Sequence, residues 1–268
     1  MNGTGKPIIA IVFTLSVTAF ASGSITIEPD YIEIVDTILE EYQNPGEVSP
    51  QWTSGDPDSE NYLTHGFITQ TATDLLRNNY SPANIFYNNY RSLLTRGSVL
   101  PDFDETNGIY AWHFYGENGL NYAGGSTTAY TKCIEHYNTA VQLYTAGSAN
   151  SAMEELGRAL HYLQDVNVPH HAMNKIAAFS NHIAFEQEVE DNMASYALTS
   201  MVPAIFTLAQ DPLGDIIDYF AVEARGWYDH ASSSELSQRE MAAAVCVRNS
   251  QRATITILYK FMSDVGAI

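Results

Sequence analysis

Histidine and a carboxylate stand four residues apart twice within residues 161–186, as His161 with Asp165 and His182 with Glu186. That offset puts both side chains on one face of an α-helix, with Cβ atoms about 6 Å apart, so each pair is matched to a helix and can clamp a single ion. Gly157, one turn before His161, predicts open space above the first pair. Pro169 predicts the end of that helix, leaving His171 to turn back from a loop. Imidazole and carboxylate together form a nitrogen and oxygen donor set that suits zinc.

The apolar pattern agrees with helices. Phe67, Ile68, Ala72, Leu75 and Leu76 lie on one stripe of a helix expected over 65–80, with Thr64 as its N-cap. The same period recurs over 126–146, where it places Tyr130, Cys133, Ile134, Tyr137, Val141 and Tyr144 together, and over 151–166. Further helices are expected over 181–200, 215–227 and 234–262. Residues 81–125, rich in Gly, Asn and Tyr, predict an irregular stretch with short helices. Strand-like alternation is scarce, and no Pro- or Gly-rich linker divides 52–268. The expected fold class is all-α, a single multi-helix domain.

Charge narrows the function. There are 12 Lys and Arg against 31 Asp and Glu, a formal net charge of -19. Such a chain lacks the basic face that nucleic acid or an anionic membrane recruits, so no nucleic acid partner is expected. Nor does the sequence point to an obligate protein partner. With Cys133 and Cys246 the only cysteines, a thiolate zinc cluster is excluded, and a metal must be held by His and carboxylate. Whether the two thiols bond to each other is left open. No GxGxxG or phosphate-binding loop occurs. The first pair is not HExxH, so the one-zinc metalloprotease reading fails, and its spacing differs from the Glu-x-x-His of di-iron bundles.

The N-terminus reads as an address. Lys6 is the only Lys or Arg in the first 51 residues, and the apolar run Ile8 to Ala21 ends in Ala19-Phe20-Ala21, an A-x-A-like cleavage site. The run is shorter than the roughly 20 residues of a membrane span. Residues 1–21 are therefore expected to be a signal peptide, and the chain secreted to the extracellular space. Residues 22–51 combine a short acidic amphipathic segment, Asp30 to Tyr42, with a breaker-rich stretch, and fit either a propeptide or an N-terminal helix of the mature domain.

With these residues in place, a family resemblance emerges. The segment RALHYLQDVNVPHHAMN (158–174) resembles the ligand segment of the bacterial zinc-dependent phospholipases C, which include the phosphatidylcholine-preferring enzymes and the catalytic domain of the alpha-toxins. The likeness extends to Trp52 standing 13 residues before His65, to Asp102 in LPDFDE, to His113 in AWHFY, to His182 and Glu186, and to SQRATITILYKF near the end. It covers about residues 52–265.

The resemblance implies an all-α domain with three zinc ions in a cleft. One ion would take Asp102, His113, His161 and Asp165. A second would take His171, His182 and Glu186. The third would take His65, Asp165 as a bridge, and the free α-amino group and carbonyl of Trp52. That last ligand requires a cut before Trp52, which makes 22–51 a propeptide and 52–268 the catalytic domain. The implied activity is hydrolysis of phospholipid phosphodiester bonds on the glycerol side by zinc-activated water, with Asp102 as the catalytic residue that steers or deprotonates the water.

Departures from the family bear on substrate choice. The choline pocket of the phosphatidylcholine-preferring members uses a Glu three residues after the N-terminal Trp, and here that position is Gly55, with Asp56 and Asp58 close by. Asp56, Phe103 and Tyr110 are the candidate substrate-binding residues, since an aromatic pair suits a quaternary ammonium. His170 stands where the family usually has Met, and reads as solvated or as close to the cleft. His136 and His230 fit no ligand pattern and read as structural. The implied partner is a phospholipid headgroup, with transient contact at a membrane surface. Two other readings compete: an S1/P1-type zinc nuclease, disfavoured by the Trp52 to His65 gap and by Glu186, and a non-catalytic secreted domain stabilised by zinc.

Overall fold

The computed structural model describes residues 57, 63–107, 109–177 and 180–268, and has no β-strand among them. Its helices are α1 (Thr64–Asn79), α2 (Ser81–Tyr87), α3 (Arg91–Gly97), α4 (Pro101–Asp104), α5 (Ala129–Thr145), α6 (Ala149–Asp165) and α7 (Pro169–Ala172), followed by α8 (His182–Asn192), α9 (Ala204–Leu208), α10 (Leu213–Gly226), α11 (Tyr228–Ala231) and α12 (Leu236–Asp264). Short 3-10 turns are formed at Ala111–His113 and Met193–Tyr196. The all-α class is as expected, and no described helix is long and apolar enough to cross a membrane.

The helix ends follow local chemistry. Thr128 and Thr131 form a reciprocal capping box in which the Thr128 hydroxyl accepts from the Thr131 N–H at 3.3 Å and the Thr131 hydroxyl accepts from the Thr128 N–H at 2.8 Å. This starts α5 at Ala129, three residues later than the apolar period suggested. Thr64 is not the N-cap of α1. Leu63 holds that position, its carbonyl accepting from the Phe67 N–H at 2.8 Å, and Thr64 is buried inside the first turn. α6 stops at Asp165, one residue short of the expected end, and Val168 ahead of Pro169 is extended as a residue preceding proline should be. Pro169 also begins α7, where its missing N–H costs nothing. His171 therefore sits on a short helix rather than in a loop.

The core forms around α6. Met153, Leu156, Leu160 and Leu163 are fully buried against Cys133, Tyr137 and Ala140 of α5 and Ile257, Leu258 and Phe261 of α12. Each large apolar side chain so buried contributes about 1.5–3 kcal/mol. A second cluster joins Ile68, Val168, Phe185, Val189, Cys246 and Val247. Cys133 and Cys246 fall in different clusters and are both free thiols.

Gly157 also has a different use from the one expected. A Cβ there would lie 2.4 Å from the Leu94 carbonyl oxygen and 2.7 Å from the Gly97 Cα. The position is the crossing point of α3 and α6, not space kept open over a site. Close contact at this crossing sets where the chain emerges from α3, and the emerging residues Ser98 to Asp102 reach the candidate centre.

Candidate metal centre

Three groups of buried ligand-type side chains come together: His65, His161 and Asp165; Asp102, His113 and His161; and His171, His182 and Glu186. They are drawn from α1, α4, the 3-10 turn, α6, α7 and α8. A tetrahedral zinc shell of radius about 2.1 Å separates neighbouring ligand atoms by about 3.4 Å. Around His161 and Asp165 the separations bracket that value. His161 Nε2 lies 3.2 Å from Asp165 Oδ2, 3.4 Å from Asp102 Oδ1 and 3.0 Å from His113 Nδ1. His113 Nδ1 lies 2.9 Å from Asp165 Oδ2 and 3.7 Å from Asp102 Oδ1. The group of His171, His182 and Glu186 is comparable, with Glu186 Oε1 at 2.9 Å from His182 Nε2 and 3.6 Å from His171 Nε2.

Asp165 occupies the middle. Its Oδ2 faces His113 and His161, while its Oδ1 faces His171 Nδ1 at 3.2 Å and His65 Nε2 at 3.8 Å. One carboxylate thereby touches side chains of all three groups.

Neighbouring residues aim the ligands. The His161 Nδ1–H donates to the Ser98 carbonyl at 3.0 Å, which turns Nε2 inward, and the Ser98 carbonyl is placed by the α3 and α6 crossing. His113 follows Tyr110, whose φ of 56° lies in the left-handed region. That conformation costs about 1–3 kcal/mol in a non-glycine residue. It is held by the Tyr110 N–H donating to the Thr106 carbonyl at 2.7 Å and the Ala111 N–H donating to Asn107 Oδ1 at 3.1 Å. Asp102 lies on α4 beside Asp104 and Glu105, which Arg158 holds at 2.8 Å and 2.5 Å. Glu105 also meets Lys132 at 2.7 Å and His136 Nε2 at 3.1 Å.

Electrostatics separate the histidines. Burial alone would lower the His161 pKa, but the charges of Asp102 and Asp165 outweigh it and raise it to about 9. His171 likewise rises to about 9 because Asp165 and Glu186 overcome its burial. Burial and the nearby His161 lower His65 to about 3. Burial also opposes ionisation of Glu186, yet His182 and His171 bring it down to about 2. Asp165 falls well below the usual carboxylate range, against its own burial, through His161 and His113.

The donor chemistry fits zinc. Asp102, Asp165 and Glu186 are 8%, 1% and 5% exposed, and carboxylates buried this deeply need a cation. The His171 Nε2 is buried without a hydrogen-bond partner. Glu186 Oε1 at 3.6 Å from it has the spacing of two ligands on one ion rather than of donor and acceptor.

The structure brings His65, Asp102, His113, His161, Asp165, His171, His182 and Glu186 into these groups. Trp52 and Asp56 lie outside the described residues, as do the signal peptide and propeptide expected over 1–51. Tyr110 stands by the centre, its ring 5.8 Å from that of His113. Phe103, next to Asp102, is 56% exposed. His136 and His230 lie outside the three groups, bound to Glu105 and Glu155 and to Gln238 respectively.

His170 is not solvated. It is fully buried and stacks on His182, with ring centroids 4.7 Å apart and planes 5° from parallel. Burial, together with the nearby His182, lowers its pKa to about 2. Spacing gave no sign of this, because the contact crosses from α7 to α8.

Compared with known proteins, residues 64–237 match the profile described as zinc dependent phospholipase C. The chain belongs to this family. Curated relatives include the phospholipase C of Paraclostridium bifermentans, 26% identical over 235 residues, which cover 76% of this chain and 59% of the relative. The phospholipase C of Bacillus cereus is 28% identical over 167 residues, covering 57% and 58% respectively. The chain thus spans about 59% of the length of the first of these relatives. The alpha toxin from Clostridium absonum shares the fold, with a TM-score of 0.72 at 22% identity over 78% of this chain and 65% of that one. Zinc, and the all-α architecture that holds it, therefore accord with the family.

Proposed function

We propose that this zinc-dependent phospholipase C family member is a secreted phosphodiesterase that cleaves phospholipids on the glycerol side of the phosphate. The observation that supports this most directly is the joining of three metal-capable groups through Asp165. In this reading each group holds one zinc. Asp102, His113, His161 and Asp165 hold the first; His171, His182 and Glu186 the second; and His65, Asp165 and the amino group and carbonyl of Trp52 the third. Bound zinc supplies an activated water near neutral pH and neutralises charge on the phosphoryl oxygens. Asp102, buried beside His113 and His161, accepts the water proton or orients the water, so it is the catalytic residue.

The second group has three protein ligands and so leaves a coordination position for substrate. Tyr110 and Phe103 supply the aromatic faces for a choline-like headgroup, with Asp56 as the compensating charge in place of the family's Glu. Contact with the membrane surface is transient. An amine at Trp52 requires cleavage after Gln51, which makes residues 22–51 a propeptide.

The test is a headgroup panel on the zinc-loaded protein, processed to begin at Trp52. Soluble phosphodiesters of choline, ethanolamine, serine and inositol are offered beside single-stranded DNA. Release of a phosphorylated headgroup without cleavage of DNA is expected. DNA cleavage would favour the nuclease reading, and no turnover at full zinc occupancy would overturn the enzymatic one.

A further inference from the structure

We propose that Gln164 is a positioning residue that fixes the tautomer and ring orientation of His65, and so decides which nitrogen the third group presents. The inference rests on reading that group as a zinc site. Gln164 is fully buried on α6, between the ligand positions His161 and Asp165. Its Oε1 accepts from the His65 Nδ1–H at 2.8 Å. Its amide nitrogen donates to the Thr69 hydroxyl at 2.9 Å and to the Thr254 hydroxyl at 3.3 Å.

The two ends of the amide differ in chemistry. The –NH₂ end only donates and the oxygen only accepts. In the structure the –NH₂ end faces the two hydroxyls, which accept from it, and the oxygen faces His65. A neutral imidazole facing an oxygen carries its proton on the facing nitrogen. The lone pair is then left at Nε2, the atom 3.8 Å from Asp165 Oδ1. The other tautomer would put a lone pair against the Gln164 oxygen and a proton where a metal must bind.

The brace also joins helices. His65 and Thr69 lie one turn apart on α1, and Thr254 lies on α12, so one α6 side chain ties the ring to two other helices. Partners that orient a ligand imidazole in this way are worth about 10–100-fold in metal affinity.

The experiment uses the protein processed to begin at Trp52, ¹⁵N-labelled at histidine, as wild type, Gln164→Met, Gln164→Glu and Thr69→Val. Nitrogen–proton correlation spectra of the metal-free protein report the His65 tautomer, and competition with a chelator reports zinc affinity at each site. Wild type and Gln164→Glu are expected to hold the proton on Nδ1. Gln164→Met is expected to populate both tautomers and to bind one zinc about 10–100-fold more weakly, and Thr69→Val to fall between. A wild-type proton on Nε2, or a Gln164→Met protein with unchanged tautomer and zinc affinity, would overturn the proposal. Should Gln164→Met not fold, Gln164→Glu and Thr69→Val carry the test, and a tautomer unmoved by Thr69→Val counts against the brace. If no variant binds zinc while the tautomer still moves with Gln164, the zinc reading fails and the positioning role stands.

Discussion

Oδ2 of Asp165 lies 2.9 Å from Nδ1 of His113, although 52 residues separate them in sequence. The same carboxylate turns its other oxygen towards His171 and His65, so removing its charge acts on more than one group at once. Asp165→Asn is expected to weaken zinc at two of the three groups. Metal analysis of the purified variant checks this, and retention of all wild-type zinc would refute the bridge.

Asp102 is both a ligand and the proposed proton acceptor. Asp102→Asn keeps its size and one oxygen donor but removes basicity. Its kcat should fall by about 10²–10⁴-fold with a smaller change in KM, the usual loss when a general base is removed. A variant with wild-type kcat would assign Asp102 to structure alone.

The third zinc is expected to require a free amine at Trp52. Mass spectrometry of the secreted protein should place Trp52 at the N-terminus, together with three zinc ions per chain. An N-terminus at Ser22 with the same zinc content would exclude the amine as a ligand.

Glu105 and His136, neither of them a proposed ligand, make a pH-dependent contribution to stability. Burial opposes ionisation of Glu105, but His136 and Lys132 overcome it and hold its carboxyl well below the usual range. His136 is raised above 6.5 against its own burial by Glu105 and Glu155. The depressed Glu105 contributes stability above its unfolded value of 4.5, lost as pH falls below that. The raised His136 contributes stability below its unfolded value of 6.5, lost as pH rises through its folded value. Glu105→Gln should therefore cost most between pH 4.5 and 6.5 and less in alkali. Urea unfolding of both proteins across this range checks it, and a difference independent of pH would contradict it.

Gly157→Ala tests the helix crossing. The added Cβ would meet the Leu94 carbonyl oxygen, a backbone atom that cannot swing aside. A loss of about 1–3 kcal/mol in stability is expected, as for other overpacked positions. Because the crossing also places the Ser98 carbonyl that orients His161, zinc affinity should fall with it. Equilibrium unfolding together with zinc titration measures both effects.

Sequence by itself determined whatever depends on neighbours along a helix. The pairs His161 with Asp165 and His182 with Glu186 were legible because a four-residue offset is a local distance. The all-α class was legible because apolar period is a local pattern. The family likeness added Asp102, His113 and His65 through matching motifs, which no spacing within one helix could have joined. Tertiary structure decided the rest. It assigned Gly157 to a backbone crossing, started α7 at Pro169, buried His170 against His182, and set Gln164 between His65, Thr69 and Thr254. Each of these depends on which helix packs where, and close packing between helices is fixed by three-dimensional contacts that a one-dimensional pattern does not encode.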